Sequence, residues 1–241
     1  MSKSIGIIPF SSALNIIKSF LFIFSPNFLL FLSTILLAKF FLSFFIAGFF
    51  NEFPNDGYFS DSLNKKAFNH LLSEGLECAG KSNFFTGVKD EDGNQTCSHY
   101  QVSQESFGII SDTIGPLIER YRNKFPHINS IGVLSSPSPF VFGAPWFNIQ
   151  KPHEYLGGHM HEGILSYTMW LKLPKQSQFK FFYPSITGKV YEHSLNLTPK
   201  DEGKFIIFPS TLYHTVYPYK SDNPDERRIS LSGNICLQGR Y

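Results

Sequence analysis

Apolar residues recur at the spacing of an α-helix in two stretches of the chain, 63–78 and 105–124, which predicts two amphipathic helices. Ser62 is a good N-cap for the first helix, and Gly80 is a residue common at helix ends. In the second helix Gly115-Pro116 predicts a kink, because proline has no backbone donor. The apolar faces consist of Leu63, Ala67, Leu71, Leu72 and Leu76 in the first helix, and of Phe107, Ile110, Ile114, Leu117, Ile118 and Tyr121 in the second.

The stretch between these helices, residues 81–104, is polar and lacks helical spacing. It contains the acidic run Asp90-Glu91-Asp92. Runs of like charge are usually solvated, so we predict a loop here without a metal site. Residues 51–127 as a whole are therefore predicted to form a helical support region.

Polar and apolar residues alternate near the C-terminus, where the pattern has the two-residue period of a β-strand. Positions 228, 230, 232 and 234 are polar, and Ile229 and Leu231 are apolar. One face of this strand is predicted to meet a core, while the other carries Arg228 and the hydroxyl of Ser230. If the polar face points into a barrel, Arg228 offers a planar fork for a carboxylate; otherwise it is a solvated surface residue.

The first 50 residues differ from the rest of the chain, because they contain no acidic residue and include an uncharged run of 20 residues at 19–38. A run of this length matches the span of a bilayer, so residues 1–50 are predicted to be a hydrophobic membrane segment. It forms either one span with a kink at Pro26-Asn27 or a hairpin that turns there. A mis-assigned start or a buried helix pair would also explain this composition, and a cleaved signal peptide fits it less well.

Charge and cysteine content exclude several functional classes. Residues 51–241 carry 18 basic and 19 acidic side chains, so nothing indicates a nucleic-acid partner. The three cysteines are odd in number and include no Cys-x-x-Cys pair, which argues against a disulfide framework or a zinc ribbon. Because this usage fits a reducing compartment, we expect a membrane-associated protein whose catalytic domain faces the cytoplasm.

Three histidines give the chain its strongest chemical signal. His159 and His161 are two residues apart, so on a strand both imidazoles point to one face. His214 follows an apolar run that ends at Pro209, near the predicted start of another strand. Three protein ligands leave coordination positions open for chemistry. We therefore predict a catalytic metal site, although histidine pairs at this spacing also occur as ordinary surface residues.

Together these residues resemble the iron(II)- and 2-oxoglutarate-dependent oxygenases common in marine bacteria and their phages. The similarity covers about residues 130–236, and its ordered combination of motifs is more specific than any single motif. The similar stretches are 146–148, 157–163, 165–167, 171–174, 203–209, 214–218, 221–222 and 228–234.

The resemblance implies a mainly β fold with flanking helices. Its core would be a double-stranded β-helix, or jelly roll, over residues 128–241, preceded by the helical region 51–127 and the membrane segment 1–50. The family also implies Fe(II) as cofactor and 2-oxoglutarate as co-substrate. Succinate and CO2 would be released, and the default outcome is hydroxylation of a prime substrate that the sequence does not identify.

By position, the resemblance implies that His159, His161 and His214 are the iron ligands. Arg228 would pair with the distal carboxylate of 2-oxoglutarate, with help from Ser230. The wider superfamily usually has a carboxylate at the position of His161, so Glu162 is an alternative second ligand if the strand bulges locally. Aromatic and amide residues that could line the pocket are Trp146, Asn148, Tyr167 and Tyr183.

Two other functional classes stay open at this point. One is a cupin-like metalloprotein, either an isomerase or a sugar-binding module, because a related barrel also carries His-x-His and a distant histidine. That class expects a glutamate a few residues after the pair, where this chain has 163–167, and it needs no arginine such as Arg228. The other is a catalytically silent, membrane-anchored jelly roll.

Overall fold

Two antiparallel β-sheets and two helices make up the part of the chain that the computed structural model describes, residues 49–52, 57–82, 84–125, 140–185 and 187–238. The helices are α1 (Lys65–Ala79) and α2 (Gln104–Lys124), and a short 3-10 helix spans Pro199–Asp201. The strands are β1 (Phe49–Glu52), β2 (Gly57–Ser62), β3 (Thr86–Lys89), β4 (Gln95–Gln101), β5 (Phe140–Phe142), β6 (Trp146–Gln150), β7 (Leu156–His159), β8 (Leu165–Lys172), β9 (Ser177–Pro184), β10 (Val190–Leu197), β11 (Lys204–Pro209), β12 (Tyr213–Val216) and β13 (Arg228–Leu237).

Nine of the described strands form the major sheet, and four form the minor sheet. The order in the major sheet is β1-β2-β11-β8-β13-β6-β4-β3, with β5 paired to one end of β13. The order in the minor sheet is β10-β9-β12-β7. Both sheets contribute side chains to one cavity, so the architecture is the predicted mainly β fold with flanking helices.

Both predicted helices are confirmed, with small changes at their starts. α1 begins after Asn64, whose side chain accepts a hydrogen bond from the backbone N–H of Ala67 at 2.9 Å. The predicted cap, Ser62, is instead the last residue of β2. The backbone N–H of Gly80 caps the end of α1, as predicted, and α2 is assigned as one helix through Pro116.

The helices are tied to each other by a polar contact and by apolar packing. Glu74 of α1 accepts hydrogen bonds from the backbone N–H and the hydroxyl of Ser103, both at 2.7 Å, and from the hydroxyl of Ser106. Ser103 is itself the N-cap of α2. The fully buried apolar residues of the two helices include Leu71, Ile110, Ile114 and Leu117.

Residues 51–127 are more than the helical support region that was predicted. They also supply β2, β3 and β4 to the major sheet, where β2 pairs with β11 and β4 pairs with β6. The predicted loop at 81–104 therefore contains a strand pair, and strands from both sides of the expected boundary at 127/128 share one sheet. The pattern was misleading because β4 is mostly polar, with part of its polar surface lining the cavity.

The predicted membrane segment, residues 1–50, lies outside the described residues except for the two residues that begin β1. Within the described ranges, no helix combines the length and the apolar composition needed to cross a bilayer. Membrane association and the orientation of the catalytic domain stay predictions from the sequence.

The polar face predicted for residues 228–234 points into the space between the sheets. Ser232 accepts a hydrogen bond from the Asn148 amide at 2.9 Å and lies 3.2 Å from the Thr168 hydroxyl. Ile229 and Leu231 on the other face are fully buried. The inner face of the major sheet is thus a hydrogen-bonded polar surface, whereas the facing strand β9 supplies the buried rings of Phe179 and Phe181.

Candidate metal centre and its cavity

Strand pairing in the minor sheet brings the three predicted histidines together. His159 at the end of β7 is the direct partner of His214 in β12. His161 lies just beyond β7, and its backbone N–H donates to the carbonyl of Ser210 at 2.9 Å. The pair is therefore not on one regular strand, as the spacing predicted, but His161 still reaches the same cluster.

One imidazole nitrogen from each of His159, His161 and His214 lies within 4.8 Å of the corresponding nitrogens of the other two. Nε2 of His161 is 3.2 Å from Nε2 of His214. An ion bound about 2.1 Å from two imidazole nitrogens holds them about 3 Å apart, so this pair already has the separation of two ligands on one metal. The three side chains thus fit one transition-metal ion, and imidazole is a good ligand for iron.

Backbone carbonyls orient two of the three rings. Nδ1 of His159 lies 2.7 Å from the carbonyl of Gly157, and Nδ1 of His214 lies 2.8 Å from the carbonyl of Leu212. A carbonyl can only accept, so both Nδ1 atoms carry the proton in these contacts. The lone pair of each neutral ring is then on Nε2, which faces the cluster and is available to a metal.

Burial keeps two of the rings neutral. Burial, with the nearby His159 as the second cause, lowers the pKa of His214 to about 3 and the pKa of His161 to about 4. His214 is 2% exposed and stacks on the ring of Phe179, with centroids 5.3 Å apart and an angle of 18° between the planes. At neutral pH these nitrogens do not have to lose a proton before they bind a metal.

Glu162, the alternative second ligand, is exposed. The cluster contains His161 and not Glu162. The hydrogen bond from the backbone N–H of His161 to the carbonyl of Ser210 positions His161. Of the two predicted possibilities, the geometry therefore brings His161 to the other histidines.

The three histidines open onto a cavity of about 630 Å³ between the two sheets, and Arg228 and Ser230 line the same cavity. A volume of this size is ordinary for a small-molecule site. Among the described residues that line it, Arg228 is the one Lys, Arg, Asp or Glu side chain. The remaining wall consists of apolar, aromatic and neutral polar residues.

Neutral groups hold Arg228 at the buried end of β13. Its side chain donates to the Gln150 side chain at 3.0 Å, to the Ser177 hydroxyl at 2.9 Å and to the Tyr217 carbonyl at 2.8 Å. The guanidinium also forms a cation–π contact with Tyr219, with Cζ 5.2 Å from the centroid of the ring. No carboxylate in the described part of the chain forms an ion pair with it.

Arg228 is 2% exposed, so its charge is buried, and it forms no ion pair within the described residues; the Glu154 carboxylate attracts it only weakly. Burial lowers the pKa of its guanidinium to about 10, which still leaves it protonated at neutral pH. Among the described residues Nη2 makes one long contact, 3.5 Å to the carbonyl of Glu154, and it has donor capacity to spare. A buried cation in this state is suited to interaction with an anion.

The aromatic and amide residues predicted for the pocket divide into two groups. Trp146 and Asn148 line the cavity, and the indole N–H donates to the Asn148 side-chain carbonyl at 2.9 Å. Tyr183 and Tyr167 do not line it. Tyr167 is fully buried, and its ring occupies the place where a side chain at Gly233 would lie.

Sequence reasoning missed several lining residues, among them His99, Ser177 and Phe179, and it also missed Gln150, which positions Arg228. Gln150 could have been found, because Trp146, Asn148 and Gln150 occupy every second position of β6. The polar residues of β13 follow the same two-residue spacing. No sequence motif includes His99. Its place at the cavity depends on the pairing of β4 with β6, for which the polar sequence of β4 gave no signal.

Residues 144–234, which contain the histidine cluster and Arg228, match the family model described as "Putative 2OG-Fe(II) oxygenase". A comparison with curated protein sequences gave no match. The family match therefore covers the strands of both sheets that surround the cavity from β6 onward.

Solved structures share the fold. The non-heme alpha ketoglutarate dependent epimerase SnoN from nogalamycin biosynthesis aligns with a TM-score of 0.54 at 13% identity, covering 77% of this chain and 80% of that one. A Pseudomonas putida prolyl-4-hydroxylase aligns with a TM-score of 0.51 at 17% identity, covering 76% and 93%. SnoN in complex with Fe3+, alpha ketoglutarate and nogalamycin RO aligns with a TM-score of 0.54 at 11% identity, covering 77% and 80%.

The sequence motifs, the cluster of three imidazoles and the buried guanidinium in one cavity lie within the matched region. The fold around them is shared with the SnoN epimerase and the Pseudomonas putida prolyl-4-hydroxylase. Residues 144–234 therefore match the 2OG-Fe(II) oxygenase family, which supports an oxidoreductase that depends on 2-oxoglutarate and Fe(II).

Proposed function

We propose that His159, His161 and His214 hold Fe(II), that Arg228 binds the distal carboxylate of 2-oxoglutarate, and that the enzyme hydroxylates its prime substrate. The observation that carries this assignment is the buried guanidinium of Arg228, which forms no ion pair with any described residue and lies in the same cavity as the histidines. A dianionic co-substrate supplies the missing charge at one end and metal-binding oxygens at the other.

The donor set suits this role. Three neutral imidazoles bind a divalent iron without cancelling its charge, so the site retains attraction for an anionic co-substrate. When bound, Fe(II) would supply the activation of dioxygen, and 2-oxoglutarate would supply two electrons as it loses CO2 and becomes succinate. One oxygen atom then enters succinate and the other enters a C–H bond of the substrate, which balances the reaction as hydroxylation.

Arg228 orients the co-substrate through its distal carboxylate. The contacts to Gln150, Ser177 and Tyr217 fix its guanidinium in one plane, and the under-used Nη2 is the donor left for the co-substrate. Ser230 lies two residues along β13 on the same face and offers a hydroxyl beside it. Because these groups are held before binding, little side-chain freedom is lost when a carboxylate arrives.

The rest of the cavity limits access of water to the metal. Phe179 covers one face of His214, and Leu197 and Val216 line the same cavity. An apolar wall strengthens the electrostatic interaction between Arg228 and a carboxylate, since it lowers the local dielectric constant. The cupin-like alternative explains the histidines but leaves Arg228 without a function.

Dioxygen labelled with ¹⁸O tests the proposed reaction class directly. We expect the chain, loaded anaerobically with Fe(II) and then given 2-oxoglutarate and ¹⁸O2, to form succinate that carries one labelled oxygen, measured by mass spectrometry. Uncoupled turnover is sufficient, so the prime substrate is not needed. Succinate that forms without the label contradicts the proposal, and so does metal-loaded, folded protein that forms no succinate.

A further inference from the structure

His99 lies at the wall of the cavity although no family motif includes it. It is paired with Asn148 of β6 on one side and with Thr86 of β3 on the other. Its ring centroid is 6.2 Å from that of Trp146, which in turn is 5.8 Å from that of His161. The three rings thus lead from the wall of the cavity to the metal cluster.

Nε2 of His99 is buried and has no hydrogen-bond partner in the described part of the chain. This is unusual for the cavity, because the nearby side chains of Asn148, Ser232 and Thr168 bond to one another. An unpaired buried polar atom costs about 1–3 kcal/mol. Such an atom on the wall of a cavity is satisfied when a ligand brings a complementary polar group.

The surroundings of His99 favour an uncharged ligand. Phe85, Val88, Pro145 and Trp146 line the cavity on this side. Phe85 is 68% exposed, and its backbone N–H donates to the carbonyl of His99 at 2.9 Å, so an exposed aromatic ring is attached next to His99. The one Lys, Arg, Asp or Glu side chain among the described lining residues is Arg228, and the proposed co-substrate already binds to it.

We propose that Phe85, His99 and Trp146 form the subsite for the prime substrate, and that this substrate presents an uncharged, largely apolar group with one hydrogen-bonding function that pairs with His99. The inference rests on the proposed function, since Arg228 is available to the substrate if no 2-oxoglutarate binds. A charged substrate group would lose its hydration on this wall without gaining an opposite charge.

Tryptophan fluorescence provides a readout that is independent of turnover. The chain has two tryptophans, Trp146 and Trp170, and both line the cavity. The full chain, held under nitrogen with Fe(II), is first titrated with 2-oxoglutarate. It is then titrated with four probes of matched size: 4-phenylbutanamide, 4-phenylbutanoate, 4-phenylbutylammonium and pentylbenzene.

We expect the amide to bind at least about tenfold more tightly than either ion. In His99→Phe, which keeps an aromatic ring against Trp146, the affinity for the amide falls about tenfold, whereas that for pentylbenzene changes less than about twofold. His99→Gln retains a donor and an acceptor and recovers part of the amide affinity. The matched control is His193→Phe, because His193 lies outside the cavity lining and bonds to Tyr58.

The outcomes separate the two proposals. If 2-oxoglutarate binds but the amide loses no affinity in His99→Phe, or an ion binds best, the substrate inference is overturned while the proposed function stands. If 2-oxoglutarate does not perturb the tryptophans and does not bind by calorimetry, the proposed function fails and the inference fails with it. Should His99→Phe not fold, the same comparison of the amide with pentylbenzene is made in His99→Leu, which also removes both ring nitrogens, and an unchanged ratio there overturns the inference.

Discussion

Replacing His214 by alanine lowers both the affinity for Fe(II) and the rate of succinate formation by more than about 100-fold. Changes to residues that merely support a metal ligand cost about 10- to 100-fold in metal affinity, so loss of a ligand itself costs more. His214 is the most buried of the three histidines, and its Nε2 already lies 3.2 Å from that of His161. The measurements are anaerobic metal titration and succinate yield at saturating 2-oxoglutarate.

Glu162→Gln is the matched control for His214→Ala. Glu162 is exposed and lies outside the histidine cluster, so its variant retains iron and turnover within about twofold. Since alanine at position 214 also leaves a gap beside Phe179, thermal unfolding establishes that each variant is folded. His159→Ala, at a less buried position, provides a second test. A folded His214→Ala or His159→Ala protein that still binds and turns over normally contradicts the iron assignment.

Replacing Arg228 by methionine raises the dissociation constant for 2-oxoglutarate by about 30-fold to several thousand-fold. Loss of one partner of a buried, hydrogen-bonded charge pair costs about 2–5 kcal/mol, and the distal carboxylate then meets no basic side chain among the described residues that line the cavity. Iron affinity changes little, because Arg228 is not in the histidine cluster. The comparison is a calorimetric titration with 2-oxoglutarate of the iron-loaded variant and of the unchanged protein.

Arg227→Met is the natural control, because the two arginines are adjacent but differ in surroundings. Arg227 donates to the carbonyls of Pro224 and Glu226 and does not line the cavity. Its loss leaves 2-oxoglutarate affinity within about twofold. Arg228→Met also frees the side chains of Gln150 and Ser177, so its stability is measured in parallel. Equal 2-oxoglutarate affinities in the two folded variants contradict the anchoring role of Arg228.

Much of the site follows from local sequence patterns. The alternation along 228–234 predicted a polar face, which lies toward the cavity, and the spacing and context of the three histidines predicted that they share one cluster. These features are local, because the two-residue period of a strand fixes which side chains share a face. The two helices were predicted for the same reason, from their apolar spacing.

Features that depend on pairing between distant strands were not predictable in the same way. β4 was expected to be a loop because its alternation is weak, and its role in the cavity depends on its pairing with β6. Tyr167 was expected in the pocket, but Thr168 and Trp170 are the β8 residues that line it, which places Tyr167 on the opposite face. Without the register of β8 against β13, the sequence does not distinguish the two faces.

The most direct test of a single iron and 2-oxoglutarate site is the metal dependence of 2-oxoglutarate binding, measured by anaerobic calorimetry. If the histidine cluster and Arg228 hold opposite ends of one co-substrate, the chain binds one Fe(II), and 2-oxoglutarate binds at least about tenfold more tightly to the iron-loaded protein than to the metal-free protein. That enhancement disappears in His214→Ala. Equal affinity for 2-oxoglutarate with and without bound iron contradicts the account, since the histidines and the arginine would then not share a ligand.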